Sequence, residues 1–380
     1  MFKNIVVGIS GGVDSAVTAL LLKRKGFNVT GVFMKNWDIV DETGVCTTEK
    51  DYEDAKKVCE KLDIPLVKVN FVKEYWNHVF SNLVEKYQSG YTPNPDILCN
   101  KNIKFDKFVH LAHTKFRADA VATGHYVRTS FGPYLEHFKP DSMISSRLSQ
   151  HSLRRCMFPL GEYVKDDVKR IAREAGLNAI AAKKESMGIC FVGKREFQHF
   201  ISEYIESKSG DFVDLDSGKV VGKHQGIHCW TIGQRCRVSG SSCAYFVFHK
   251  DHQTNIITVV KGTNHPALYS DLLLTQNPHW ITHEPQQLID SKSILNCSFR
   301  FQHRNPLIAC KVFKTRNNQL IIQLSQPLRA ITKGQYAVLY SDQICLGGAE
   351  ILCPGPSYFV LDKQLNLNAL QNKNYSKGNM

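Results

Sequence analysis

The chain has no run of about eighteen apolar residues, so no membrane-spanning helix and no membrane partner are expected. None of its 12 cysteines falls in a CxxC pair, which removes support for structural zinc and the common iron–sulfur patterns. No lysine follows the glycine pair near the start, so the Walker A loop is excluded. A GxGxxG dinucleotide fingerprint is missing there too. There is no internal repeat and no block of like charge of the kind found in basic arms. The first residues, MFKNIVVGIS, run directly into a strand pattern, so neither a secretory signal nor a long transit peptide is expected.

What is present is ordinary for a globular chain. Hydrophobic residues make up 43% and charged residues 22% of 380, enough for two or three domains. The formal charge of +13 suits a polyanionic partner but does not require one. Without a secretory signal, the cysteines read as reduced thiols, structural unless a pattern says otherwise.

The first ~125 residues alternate strand and helix, the signature of βαβ units and a parallel sheet. Strand patterns cover 5–8, 29–33, 65–71 and 119–123, with helical patterns at 15–25, 51–62, 74–88 and 104–114. Tyr91–Asn100 (YTPNPDILCN) carries two prolines in three residues, so a rigid loop presenting Asp96 and Cys99 is expected. A helix over 158–177 and a polar loop over 183–193 (KKESMGICFVG) follow. From about 210 the period becomes two. GIHCWTI, AYFVFHK, NIITVVK, ILNCSFRFQH, LIACKVFK, QLIIQLS, QYAVLY and ICLGGAEI all read as strands, consistent with a small barrel. The expected divisions are 1–198 catalytic, 199–264 small central, 265–362 barrel and 363–380 frayed tail.

Gly8, Ile9, Ser10, Gly11, Gly12, Val13, Asp14 and Ser15 follow the first strand and open the first helix. Two glycines let the backbone approach an anion, and the helix N-terminus favours negative charge. Ser10 and Ser15 add hydroxyl donors. SGGVDS resembles the PP-loop of the ATP pyrophosphatases, which transfer AMP to a substrate oxygen. That resemblance implies ATP, with Asp14 helping to hold Mg²⁺ and pyrophosphate. Met34, after the second strand, is a candidate neighbour of the adenine.

Cys99 and Cys190 lie in two loops expected on the carboxyl side of the sheet. Paired with a nucleotide-activating loop, they suggest sulfur chemistry, in which a thiolate or persulfide attacks an adenylated carbon. Basic neighbours favour the thiolate: Lys101 and Lys104 for Cys99, and Lys183, Lys184, Lys194 and Arg195 for Cys190.

SGGVDS, GVFMKNWD, TPNPDILCNKNIKF, ATGHYVR, FPLG, KKESMGICFVGKR and TIGQR occur in the order found in the tRNA-specific 2-thiouridylases, the MnmA/TrmU family. The chain resembles that family from residue 5 to about 235, and less strongly to about 360. The forms ESMGICFVGKR and VKEYWN are similar to the animal mitochondrial branch, which implies a mitochondrial location. The resemblance implies a PP-loop α/β domain with a parallel sheet and helices, a small central domain and a C-terminal β-barrel. It implies ATP-dependent 2-thiolation of a wobble uridine in Lys, Glu and Gln type tRNA, with ATP bound by Gly8–Ser15, Met34 and Gly124. Asn94, Pro95 and Asp96 would surround the uridine, Asp96 as proton acceptor. Cys190 would carry a persulfide supplied by a cysteine desulfurase or relay protein. Cys99 would release the sulfur through a transient disulfide that a reductant then opens. His125, Lys139, Arg300, Phe301 and Gln335 would contact tRNA. The family's Lys-Asp-Gln motif falls on Lys139-Pro140-Asp141, where only the lysine remains. Two other readings stay open: another AMP-forming PP-loop ligase, and a tRNA-binding protein without catalysis.

Overall fold

The computed structural model describes residues 2–38, 47–136, 154–183, 192, 195–238, 240–289, 293–302 and 305–364. Cys190 and Lys139 lie outside the described residues. The chain forms two compact units, one of residues 1–82 and 95–196 and the other of residues 83–94 and 197–380. Among the described residues no helix is long and apolar enough to cross a membrane.

The first unit is built on β1 (Asn4–Gly8), β2 (Asn28–Lys35), β3 (Leu66–Asn70), β4 (Ala120–Ala122) and β5 (Cys156–Met157). They pair in the order β3-β2-β1-β4-β5, and every pairing is parallel. Ile5, Val6 and Val7 are all buried, because a parallel sheet is covered on both faces. Helix α1 (Val13–Arg24) buries nine of its twelve residues against this sheet, which explains its nearly uninterrupted apolar run. It ends at Gly26, whose φ of +84° suits the left-handed turn. The chain leaves β1 towards β2 and β3, then returns to the other side for β4 and β5. That reversal places a crevice between the carboxyl ends of β1 and β4, where ligands of such sheets bind.

The proline-rich segment departs from its expectation. Pro95–Cys99 is a helix, continued by a π-helical stretch Asn100–Lys107 and by an α-helix Phe108–Phe116. Pro95 takes the first helical position, where its missing N–H has no partner to lose. The expected loop therefore stops at Asn94. A second π-helical turn, Trp76–Phe80, sits inside the expected helix over 74–88. The helix expected over 158–177 is shorter, Lys165–Glu174.

The second unit carries two sheets. β6 (Gly210–Asp214), β7 (Val220–His224), β8 (Arg235–Cys236), β9 (Tyr245–Asp251) and β10 (Ile256–Lys261) pair as β7-β6-β10-β9-β8. GIHCWTI is not a strand here. Ile227–Cys229 is a 3₁₀ turn that buries Ile227 and His228 together, which alternation would forbid. After it come β11 (Tyr269–Thr275), β12 (His279–Trp280), β13 (Leu295–Arg300), β14 (Ile308–Lys314), β15 (Leu320–Arg329), β16 (Tyr336–Ser341) and β17 (Ile344–Pro354). The order β11-β15-β14-β13-β16-β17 closes through a β11–β17 pairing, giving a six-stranded barrel with β12 on its edge. Closure removes the sheet's open edges. Phe299, Val312, Leu320, Ile322 and Leu339 fill the interior.

One lysine works against this unit's stability. Lys250 on β9 is only 8% exposed, and its ammonium donates to the Trp230 carbonyl at 2.7 Å. Burial pulls its pKa from 10.5 down to about 7, against a smaller opposing effect of Cys229. The unfolded chain therefore binds more protons between pH 7 and 10.5, and stability rises with pH across that window. Below pH 7 the cost of the buried charge is complete. We expect Lys250→Met to stabilise the protein at pH 7 by about 2 kcal/mol, after allowing for the lost hydrogen bond. The gain should fade as the pH approaches 10. Urea unfolding at both pH values measures it, and a gain independent of pH would refute this account.

Candidate active site

The loop after β1 enters the crevice. Gly11 has a φ of +72°, and a Cβ there would run into the Asp51 carbonyl oxygen. Glycine is thus required both for the turn and for the close approach of helix Thr47–Leu62. The Ser10 N–H donates to the Ser15 hydroxyl at 3.1 Å, and the Ser15 hydroxyl donates to the Gly12 carbonyl at 3.0 Å. Gly12 is the N-cap of α1, and among the described residues no side chain caps that end. The first N–H groups of a twelve-residue helix are therefore left for an anion. Gly124, after β4, closes the other side. A Cβ on it would stand 2.9 Å from Asp14 Cβ and from the Ser15 nitrogen. Met34 reaches the end of β1, its Cε 3.3 Å from where a Gly8 Cβ would lie. The residues expected around ATP thus share one crevice at the switch of strand order.

Two lysines that were not assigned to the phosphate loop border it. Lys165 bonds both Asp14 carboxylate oxygens, at 2.7 and 2.8 Å, and the Tyr126 hydroxyl donates to Asp14 Oδ1 at 2.7 Å. Lys183 reaches Asp51 Oδ1 and Asp54 Oδ2, each at 2.8 Å, and donates to the Gly11 carbonyl at 3.2 Å. Burial disfavours its ammonium, but the bonds to Asp51 and Asp54 outweigh that and raise the pKa. Lys183 is expected to favour the Cys190 thiolate, and Cys190 lies outside the described residues. The described contacts of Lys183 are with the loop and helix Thr47–Leu62. The motifs FPLGEYVK and ATGHYVR held the signal for Lys165 and Tyr126, since both follow strands ending at the crevice.

Asp96 and Cys99 sit one helical turn apart on helix Pro95–Cys99, so they share a face. Asp96 is exposed and Cys99 is 4% exposed. Asn94 directly precedes that helix. His125 follows Gly124, and its Nδ1 lies 2.8 Å from the Thr123 hydroxyl. The ring packs against Phe105 at 5.3 Å and Phe158 at 6.5 Å. Burial pulls its pKa to about 4, with a further push from Lys104 and opposition from Asp14. His125 is therefore a neutral imidazole at physiological pH.

In the barrel, Arg300 lies over the Tyr340 ring at 6.0 Å, and its buried Nε has no hydrogen-bond partner among the described residues. Phe301 is 7% exposed and stacks on Phe299 inside the barrel. Gln335 donates from Nε2 to the Thr92 carbonyl at 2.7 Å. Phe301 thus contributes packing in this structure, and the Gln335 amide is engaged within its own unit. Among the described residues no group of three or more His, Cys, Asp or Glu is arranged to hold a metal. Asp14, the carboxylate of the loop, has both oxygens engaged by Lys165 and Tyr126.

Comparison with known proteins agrees with this architecture. Residues 3–194 match the family described as a tRNA methyl transferase HUP domain. Residues 198–261 match a tRNA methyl transferase PRC-barrel domain, and 270–351 an aminomethyltransferase beta-barrel domain. The mitochondrial tRNA-specific 2-thiouridylase 1 of Drosophila melanogaster is 50% identical over 371 residues, covering 94% of this chain and 95% of its own. The human protein of that name is 44% identical, covering 95% and 93%. The tRNA-specific 2-thiouridylase MnmA of Alkaliphilus oremlandii is 42% identical, covering 92% and 96%. With that identity along nearly the whole length, the chain belongs to the tRNA-specific 2-thiouridylase family.

Proposed function

We propose that this protein is a mitochondrial tRNA sulfurtransferase that replaces the 2-oxygen of the wobble uridine with sulfur at the expense of ATP. The observation that carries the reading is the uncapped start of α1 over the Gly11 turn, at the switch of strand order. That cradle suits pyrophosphate, and the loop has no Walker lysine for phosphoryl transfer. ATP supplies the AMP group that turns the 2-oxygen into a leaving group. Asp14 is the residue that would hold Mg²⁺, once its carboxylate is released by Lys165.

The chain's own residues then have separate tasks. Gly11, Gly12 and the N–H groups of α1 bind the pyrophosphate, and Met34 and Gly124 line the nucleoside. The base leaves its stack to enter the site. Asn94, Pro95 and Asp96 surround it, with Asp96 accepting the N3 proton as the 2-oxygen is adenylated. Cys190 delivers the outer sulfur of its persulfide to C2, and AMP leaves. Cys99, as thiolate, attacks the Cys190 sulfur and frees the thiouridine, leaving a Cys99–Cys190 disulfide. A dithiol reductant returns both to thiols for the next cycle. His125, Lys139 and Arg300 complete the proposed tRNA contacts, whereas Phe301 is buried in the barrel and the Gln335 amide is bonded to the Thr92 carbonyl.

The test is thiolation in vitro with unmodified Lys, Glu or Gln type tRNA, ATP, Mg²⁺ and a persulfide donor. Thiolated tRNA is read as a retarded band on a mercury-containing gel. The band should require ATP and come with one AMP and one pyrophosphate per thiouridine. Bound tRNA without a retarded band and without pyrophosphate would favour a binding protein instead.

A further inference from the structure

The reaction leaves TIGQR (231–235) without a task. In the structure Thr231, Ile232, Gly233 and Gln234 form one wall of a cleft of about 540 Å³. The other wall carries Gln302, Asn305, Gln326 and Arg329 from the barrel. The volume lies within the range of about 300–1,000 Å³ usual for ligand sites. The lining holds four amide side chains and one cation, with no carboxylate among the described residues. Amides offer donors and acceptors to base and ribose edges, and a guanidinium matches a phosphate.

The walls are held in place before any ligand arrives. Gly233 donates to the Val247 carbonyl at 2.8 Å, and Ala330 donates to the Leu268 carbonyl at 2.8 Å. Arg329 donates from Nη2 to the Gly233 carbonyl at 2.9 Å and from Nε to the Thr263 carbonyl at 3.1 Å. Its Cζ lies 5.1 Å from the centre of the Phe246 ring. Those two bonds use two of the five guanidinium donors and fix the direction of the rest. The Gln234 Oε1 accepts from the Thr231 N–H at 2.9 Å, which leaves its amide nitrogen as a fixed donor. Beside the cleft, Arg235 and Arg237 are both exposed and two residues apart, so the positive charge continues past it. A continuing basic track suits a polyanionic chain better than a single small anion.

We propose that this cleft is an RNA subsite that takes one nucleotide of the substrate tRNA other than the thiolated base. Arg329 holds the phosphate, and Gln234, Gln302 and Gln326 meet the base or ribose. The assignment rests on the reading of the protein as a tRNA sulfurtransferase.

The test uses the full chain with two rim variants, Gln302→Glu and Gln326→Glu, and one floor variant, Arg329→Gln. Both glutamines are exposed, so the rim variants should keep the fold. Filter binding should show tRNA affinity about tenfold weaker for each glutamate, with the loss appearing in KM for tRNA rather than in kcat. Arg329→Gln should flatten the salt dependence of tRNA binding by about one unit of slope. Wild-type tRNA affinity in both rim variants would overturn the proposal. So would binding of free AMP or UMP that the glutamates abolish while tRNA affinity is unchanged. If the wild type binds tRNA without thiolating it and the rim variants still lose affinity, the subsite stands and the activity reading falls.

Discussion

Cys99→Ser is expected to lower tRNA thiolation by at least about a thousandfold, the scale seen when one member of a catalytic unit is removed. Pyrophosphate release should continue through one equivalent per tRNA, because the phosphate loop does not use Cys99. The two readouts separate a lost nucleophile from a lost fold. Cys99 is buried on the same short helix face as Asp96, and serine replaces it with little change of volume. Cys59→Ser supplies the contrast. Cys59 is also buried, its Sγ lies 3.0 Å from the place of a Gly31 Cβ, and burial raises its pKa to about 11. It is an inert thiol packed under β2, so its variant should lose about 1–3 kcal/mol of stability and keep the thiolation rate. Equal thiolation by Cys99→Ser and wild type would end the scheme in which Cys99 frees the sulfur.

The sequence made some parts of this arrangement plain because their cause is local. A glycine pair between a buried strand and an apolar helix has few structural uses, and Gly11 at +72° takes the expected one. Period-two runs of apolar residues announced the barrel, since one face of each strand must be buried. Other features depend on residues far apart in the chain. Lys165 and Asp14 are 151 positions apart, and Lys183 lies 132 from Asp51 and 129 from Asp54. No spacing rule connects such partners, so the place of Lys183 beside the phosphate loop is not legible from its neighbours in the sequence. The helix at Pro95 was missed for another reason. A proline pair suggests a loop, yet the second proline opens a helix here, because the first helical position needs no N–H. GIHCWTI alternates like a strand, but burial of His228 beside Ser202, 3.3 Å between ring and hydroxyl, sets a 3₁₀ turn there. At Ile227–Cys229 a tertiary contact overrode a short local pattern.

Gly11→Ala should be the most damaging change in the phosphate loop. The residue sits in the left-handed region, where a side chain costs about 1 kcal/mol on its own. The larger effect is steric. A Cβ collides with the Asp51 carbonyl oxygen and comes within 3.2 Å of the Asp54 side chain. Asp51 and Asp54 are the anchors of Lys183, which also donates to the Gly11 carbonyl. Loop, lysine and helix Thr47–Leu62 must therefore shift together. We expect pyrophosphate release to fall by about a hundred- to a thousandfold, since a misplacement of an ångström in a positioning loop costs that order. Stability should fall by about 1–3 kcal/mol. Gly26→Ala is the control for backbone strain alone. Gly26 has a φ of +84°, no atom of the described residues beyond its chain neighbours lies within 4 Å of its Cβ position, and it stands at the far end of α1. It should lose about 1 kcal/mol and release pyrophosphate at the wild-type rate. If the two variants lose the same stability and both keep activity, the close approach at Gly11 has no part in holding the phosphates. If only Gly11→Ala loses activity, the contact with Asp51, and not the strained turn, sets the loop's position.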